Sequence, residues 1–193
     1  MNIIVFDTET TSLNKPYCYN IGLTVFDTTH GIVLLEKDWV VEQVWHNLPL
    51  FETAYYAEKR KLYVSRLKGK TCKMSKWGHI VRSITAIVKN YDIQYVFAYN
   101  SSFDERVMEF NSNWYRTSNP FDSLPIIDIM GYVHKAIAFT NDYQKWCEDN
   151  ESFTDSGNYS CTAENVYRYL LGDREFVEEH TALAEVVDIV GFF

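Results

Sequence analysis

The sequence has no apolar run near the ~20 residues that a membrane-spanning helix needs. It also has no basic leader followed by a long apolar stretch. Neither a bilayer span nor a secretory signal is therefore expected. Cysteine is sparse: Cys18, Cys72, Cys147 and Cys161 lie far apart, and neither CxxC nor a Cys/His pair at zinc spacing occurs. These absences argue against a disulfide scaffold and a zinc module, and suggest reduced thiols in a cytoplasmic protein. No Pro/Gly-rich linker, repeat or low-complexity tract interrupts the chain. Residues 1–193 therefore read as one domain, long enough to bury a core.

Net positive charge is also lacking. The formal charge is −8, which by itself argues against a polyanionic partner. The distribution says more. Residues 58–79 carry eight basic side chains (Lys59, Arg60, Lys61, Arg66, Lys68, Lys70, Lys73 and Lys76) against the single acid Glu58, a local charge of +7. The remaining 10 basic and 25 acidic residues leave the rest of the chain at −15. Such a segment is either a solvated helix and loop or the electrostatic footprint of a nucleic acid.

The apolar share of 47% places the chain among globular rather than disordered proteins. Residues 2–9 read as a buried strand. Segments 21–26 and 32–41 read as the next two strands, joined by the turn-like DTTHG at 27–31. Helical pattern follows over about 51–67, and again at Ile80, Ile84, Ile87 and Val88. A short strand at 95–99 precedes a helix, and 125–130 reads as a fifth strand. Residues 141–160 are polar and irregular. A helix at 162–171 ends at Gly172, a residue suited to the left-handed C′ position. A last helix covers 181–190. Three strands and then alternating helix and strand predict an α/β fold: a mixed five-stranded sheet, three antiparallel strands then two parallel, flanked by helices.

Three short segments carry chemistry. In MNIIVFDTET the apolar run of β character ends in Asp7 and Glu9. Residues i and i+2 share a strand face, so the two carboxylates project together. They are either a cap with a surface acid, or a pair holding a hard divalent cation between them. In AYNSSFDERVMEF, 98–110, Ser102 and Glu105 have capping-box spacing, and Asp104 falls in the first helical turn. That explains Asp104 structurally; it also puts Asp104 at a strand end near Asp7 and Glu9, where open α/β sheets gather their sites. In EEHTALAEVVD, 178–188, His180 precedes a helix whose polar stripe is Thr181, Glu185 and Asp188. Taken alone, that stripe is an ordinary solvated helix face.

Together, FDTETT (6–11), YNSSFD (99–104) and HTALAE (180–185) match in order and spacing the three motifs of the DEDDh family. The chain thus resembles DnaQ-like 3′–5′ exonucleases of the ribonuclease H-like superfamily: polymerase proofreading domains, ribonuclease T and oligoribonuclease. IGLTVFD (21–27), IIDIM (126–130) and TAENVYRYLLG (162–172) extend the likeness over nearly the whole chain. The resemblance implies that Asp7 bridges two metals, that Glu9 serves the metal on the nucleophile side, and that Asp104 serves the other. It implies His180 as general base. The family has Asp five places after this histidine; here the residue is Glu185, with Asp188 one turn on as the substitute. The sister group with a tyrosine base has a decoy in Tyr169 and Asp173, which straddle Gly172.

The resemblance further implies two Mg²⁺ or Mn²⁺ ions, attack on the 3′ end and release of nucleoside 5′-monophosphates. The implied partner is a nucleic acid with a free 3′ end, single-stranded DNA first and RNA second, and association with a DNA polymerase is one implied setting. Thr8, Thr10, Leu13, Asn100 and Phe103 are the substrate-side candidates, with Leu13 placed against the terminal base. The competing expectations are an RNA-processing exoribonuclease and a non-catalytic nucleic-acid-binding module that kept the fold.

Overall fold

A computed structural model describes residues 1–191 of the chain. Its centre is β1 (Asn2–Thr10), whose side chains alternate strictly between two cores. Ile4 and Phe6 join one apolar cluster, and Ile3 and Val5 join the other. This is the period-two rule for a strand covered on both faces. β2 (Cys18–Asp27) and β3 (Ile32–Val41) follow as an antiparallel meander. The turn between them closes as expected, with Gly31 at φ 66° and its N–H donating to the Asp27 carbonyl.

Two short helices, α1 (Glu42–Trp45) and α2 (Leu48–Phe51), lead into α3 (Arg60–Gly69). The helix expected over 51–67 is thus broken. Ala54 is buried beside Phe51, and turns carry the chain from there to a 3₁₀ turn at Ala57–Lys59. Next come β4 (Lys73–Ser75), α4 (Trp77–Asn90), β5 (Tyr95–Ala98) and α5 (Ser101–Tyr115). β6 (Ile126–Asp128) runs directly into α6 (Ile129–Val133). The fifth expected strand is therefore shortened at its end, because Asp128 turns its carboxylate onto the N–H groups of Met130 and Gly131 and caps α6.

The sheet has six strands, not five, in the order β4-β3-β2-β1-β5-β6. The extra strand β4 is three residues long inside the basic segment and pairs parallel to β3. Such a short edge strand has no readable alternation. The stretch expected to be irregular holds α7 (Asn141–Asp149), capped by Thr140 and anchored by buried Tyr143 and Cys147 at i, i+4 spacing. α8 (Ala163–Leu171) starts at the Thr162 cap and ends at Gly172 in the left-handed region. α9 (Ala182–Val190) is the last helix among the described residues.

α4 and α5 cover the Ile4/Phe6 face through Ile80, Ile84, Val107 and Met108. α6 to α9 cover the Ile3/Val5 face through Ile129, Tyr143, Val166, Val186 and Ile189. β1 pairs parallel with β5 only as far as Val5–Phe97, and β5 ends at Ala98. Asp7 and Glu9 therefore run past the end of β5, where α5 begins. Gly22, opposite Asp7 on β2, lets α9 rest on the sheet: a Cβ there would collide with the Ala182–Leu183 backbone. No helix among the described residues is long and apolar enough to cross a membrane.

Candidate active site

The three motifs meet in one cleft of about 380 Å³. Its lining includes Asp7, Thr8, Glu9, Thr10 and Leu13 from β1 and the following loop, Phe103 and Asp104 from α5, and Glu178, His180 and Glu185 around the start of α9. Tyr55, Tyr56 and Tyr99 close it. Asn100 is not among these residues. It adopts φ 60° at the N-cap of α5, and its side-chain oxygen accepts from the Ser102 hydroxyl.

Each acid is held for a local reason. Asp7 and Glu9 lie on the Ile3/Val5 face, under α9. Thr8 lies on the other face and donates its hydroxyl to Asp104 at 2.6 Å. Asp104 sits in the first turn of α5 but is only 1% exposed, so it is no surface cap. The expected role of Ser102 as cap is also corrected. The helix begins at Ser101, two residues earlier than a Ser102 cap would place it, and the Ser101 N–H is taken by Asp128 across from β6. Glu9 accepts from the buried Tyr19 hydroxyl at 3.3 Å.

The start of α9 is pinned by Asn20, a fully buried residue of β2. Its carbonyl oxygen accepts from the Ala182 N–H and from the Tyr63 hydroxyl, while its amide donates to Asp38 and to the Trp39 carbonyl. All four hydrogen bonds of the amide are made, so it joins β2, β3, α3 and α9 rigidly. Arg66 of the basic segment pairs with Asp38 at 3.1 Å and with Glu179, and Lys59 donates to the Glu179 carbonyl. The Arg60 guanidinium lies over the Trp45 ring, 3.8 Å from its centroid. Three of the eight cations in that segment are thus engaged internally, while Lys61, Lys68, Lys70, Lys73 and Lys76 are exposed.

Burial, reinforced by mutual repulsion, dominates the electrostatics. One ligand oxygen from each of Asp7, Glu9 and Glu185 lies within 4.8 Å of the others. Burial pushes the Asp7 carboxyl well above its usual range, and Glu185, Asp104, Glu9 and Glu178 push it further. Burial and Glu185 raise Glu9 to about 8. Burial raises Asp104 to about 8 despite the Thr8 hydrogen bond. His180 Nδ1 is 3.3 Å from Glu185 Oε1, and this contact raises the imidazole against the opposing effect of burial. The His180 backbone holds φ 51°, a costly conformation for a non-glycine residue, and its ring stacks on Tyr56 at 4.6 Å and 12°.

Glu178 and Tyr56 join the site without having been expected from the sequence. Glu178 lies 3.6 Å from His180 Nδ1, and burial and Glu185 raise its carboxyl to about 8. The one sequence signal for it is EEH at 178–180, where residues i and i+2 converge. Glu178, Glu164 and His180 also bring ligand atoms within 4.8 Å. Glu164, however, already accepts from the Glu178 N–H and pairs with Arg168.

Of the two candidates on α9, Glu185 lines the cleft and Asp188 does not. The decoy pair lies elsewhere: Tyr169 packs edge-on against Tyr143, and exposed Asp173 accepts from the Glu175 N–H.

Three carboxylates this close, one buried and two half-buried, fit hard divalent cations such as Mg²⁺ or Mn²⁺. Asp104, steered by Thr8, borders the same cleft and could contribute to a second position.

No protein-family model and no curated protein sequence matches the chain. Solved structures do. The nuclease domain of 3′hExo, a DEDDh family member bound to rAMP, aligns over 98% of this chain and 88% of its own, with TM-score 0.65 and 9% identity. Exonuclease I in its apo form aligns over 98% of this chain, with TM-score 0.61 and 15% identity. E. coli exonuclease I in complex with a dA16 oligonucleotide aligns over 99%, with TM-score 0.56 and 15% identity. The chain spans only 40% and 39% of the length of those two exonuclease I chains. With its meander leading into parallel strands and helices on both faces, this chain has the ribonuclease H-like α/β fold of the DEDDh exonucleases.

Proposed function

We propose that the chain is a divalent-metal-dependent 3′–5′ exonuclease. The observation that carries this reading is the convergence of Asp7, Glu9, Asp104, His180 and Glu185, drawn from three distant segments, on one cleft of a DEDDh-like fold. Asp7, Glu9 and Glu185 would hold one cation, and Asp104 would serve a second together with Asp7. Bound there, two such ions neutralise the carboxylates, stabilise charge on the phosphate and acidify water.

The chain's own groups do the rest. Glu178 and Glu185 face His180 Nδ1, leaving Nε2 as the nitrogen that takes a proton from the attacking water. The Tyr56 ring, stacked on the imidazole, restricts its rotation. Leu13, 72% exposed beside the cleft, offers an apolar surface to a terminal base, and Phe103 a ring. The products would be nucleoside 5′-monophosphates and a strand one unit shorter.

DNA and RNA oligonucleotides labelled at either end, incubated with Mg²⁺ or Mn²⁺, test the reading. Stepwise loss from the 3′ end, abolished by Asp7→Asn, is expected. If neither strand type is shortened, or if the variant equals the wild type, the reading fails.

A second reading, a nucleic-acid-binding module, is favoured by one observation: the expected aspartate is a glutamate, and its carboxylate contacts His180. Calorimetric titration separates the two, since a binding module need not take up paired divalent ions. The four free, buried cysteines support a reducing, cytoplasmic setting.

A further inference from the structure

The cleft lining includes Leu13 and Phe103, and Phe103 belongs to the first turn of α5. From Phe103 the helix carries an unusual row of residues. Phe103, Arg106, Phe110 and Trp114 lie at i, i+3, i+7 and i+11 on α5, so they form one stripe along the helix. A solvated helix face carries no such row of rings, and the row runs outward from the core: Phe103 and Phe110 are half-buried, and Trp114 is 60% exposed.

The stripe is ordered. The Phe110 and Trp114 rings are nearly parallel, with centroids 6.4 Å apart and 7° between planes. The Tyr17 ring meets both edge-on, at 5.1 and 5.3 Å. The loop bearing Tyr17 is fixed to α5 by Asn111, which donates to the Pro16 carbonyl and accepts from the Cys18 N–H. Arg106 lies over the Phe103 ring at 5.4 Å. Charge is sorted too. Arg106 within the stripe and Lys15, whose carbonyl accepts from the Tyr17 N–H, are exposed cations, while Glu105 and Glu109 line a separate polar hollow with Asp122.

We propose that this flank of α5, from Phe103 to Trp114, is a stacking track for the bases of a single-stranded polynucleotide whose 3′ end lies in the cleft. The inference rests on the exonuclease reading and deepens it. It commits to a single strand because ring stacking needs unpaired bases, and to any sequence because every base has a π-face. The cations flank the path that phosphates would take. At 1.5 Å per residue the stripe extends about 16 Å beyond Phe103, room for roughly two to four nucleotides. DNA and RNA share the chemistry.

Hydrolysis of DNA and RNA oligonucleotides of two, four, six and ten units by the full chain, as wild type, Trp114→Ala, Trp114→Phe and Phe110→Ala, tests the track. The expected result is an unchanged rate on dinucleotides. On the hexamer and decamer, Trp114→Ala should raise KM about tenfold at unchanged kcat, the scale of one lost base stack, and Trp114→Phe should restore it. A KM effect with either sugar supports the track and names the strand that uses it. Three results would overturn it: equal loss at every length, as from a merely structural defect; no loss at any length; or a length-dependent loss found instead in a Lys61, Lys68 and Lys70 triple alanine variant. If the wild type hydrolyses no oligonucleotide, the exonuclease reading falls and takes the track with it. If the wild type is active and the Trp114 variant is indifferent to length, only the track falls.

Discussion

Asp7 and Glu9 alternate with Thr8 along one strand, and that alternation divides their tasks: the acids face α9, while the threonine steers Asp104 from the other side. The residue-level question is the glutamate at 185. Its longer side chain reaches both the carboxylate cluster and His180, whereas Asp188 does not line the cleft. Glu185→Gln should therefore lower kcat/KM by at least about tenfold, the lower bound for disturbing a metal's surroundings, and Asp188→Asn should not. Glu185→Asp should retain activity. Loss confined to the Asp188 variant would move the ligand to that position. His180→Ala should cost on the order of 10²- to 10⁴-fold in kcat, the usual contribution of a general base, while leaving metal affinity measured by calorimetry nearly unchanged.

At the level of elements, the site depends on how closely α9 approaches the sheet. Gly22 and Asn20 make that approach possible, one by having no side chain and the other by satisfying the N–H of Ala182. Gly22→Ala would force the start of α9 outward and carry Glu185 with it. The expected outcome is a stability loss of about 1–3 kcal/mol, typical of overpacking, together with a loss of activity larger than that instability explains. Thermal melts and kcat on the same preparation check this. An active variant of normal stability would show that α9 is not held by this contact.

At the level of the whole molecule, the carboxylates make stability depend on pH. Glu9, Asp104 and Glu178 are raised to about 8, against roughly 4 in an unfolded chain. The folded state therefore holds protons that the unfolded state releases. Their contribution to stability is full below about pH 4 and is lost as pH rises toward about 8. The metal-free protein should melt lower at pH 8.5 than at pH 5.5. Mg²⁺ or Mn²⁺ should raise the melting temperature more at pH 8.5, because the ions replace the protons. A melting temperature that is flat with pH and indifferent to both ions would contradict the clustering.

Local geometry was legible in the sequence wherever a rule spans only a few residues. The period of two in β1 puts Asp7 and Glu9 on one face, and α8 stops at Gly172 as expected. The ordered motifs also indicated the sheet and its helices. The entry of Glu178 into the cleft, the inward turn of Arg66, and the exclusion of Asn100 carry no comparable short-range signal. They depend on how elements far apart in the chain pack: α9 against Gly22 of β2, α3 against the loop before α9, and α5 against Asp128 of β6. Side-chain type and spacing thus determined which chemistry this chain could support. The packing of distant elements alone decided which acids share the cleft, because a carboxylate's partners are set by where its backbone is carried and not by its neighbours in the chain.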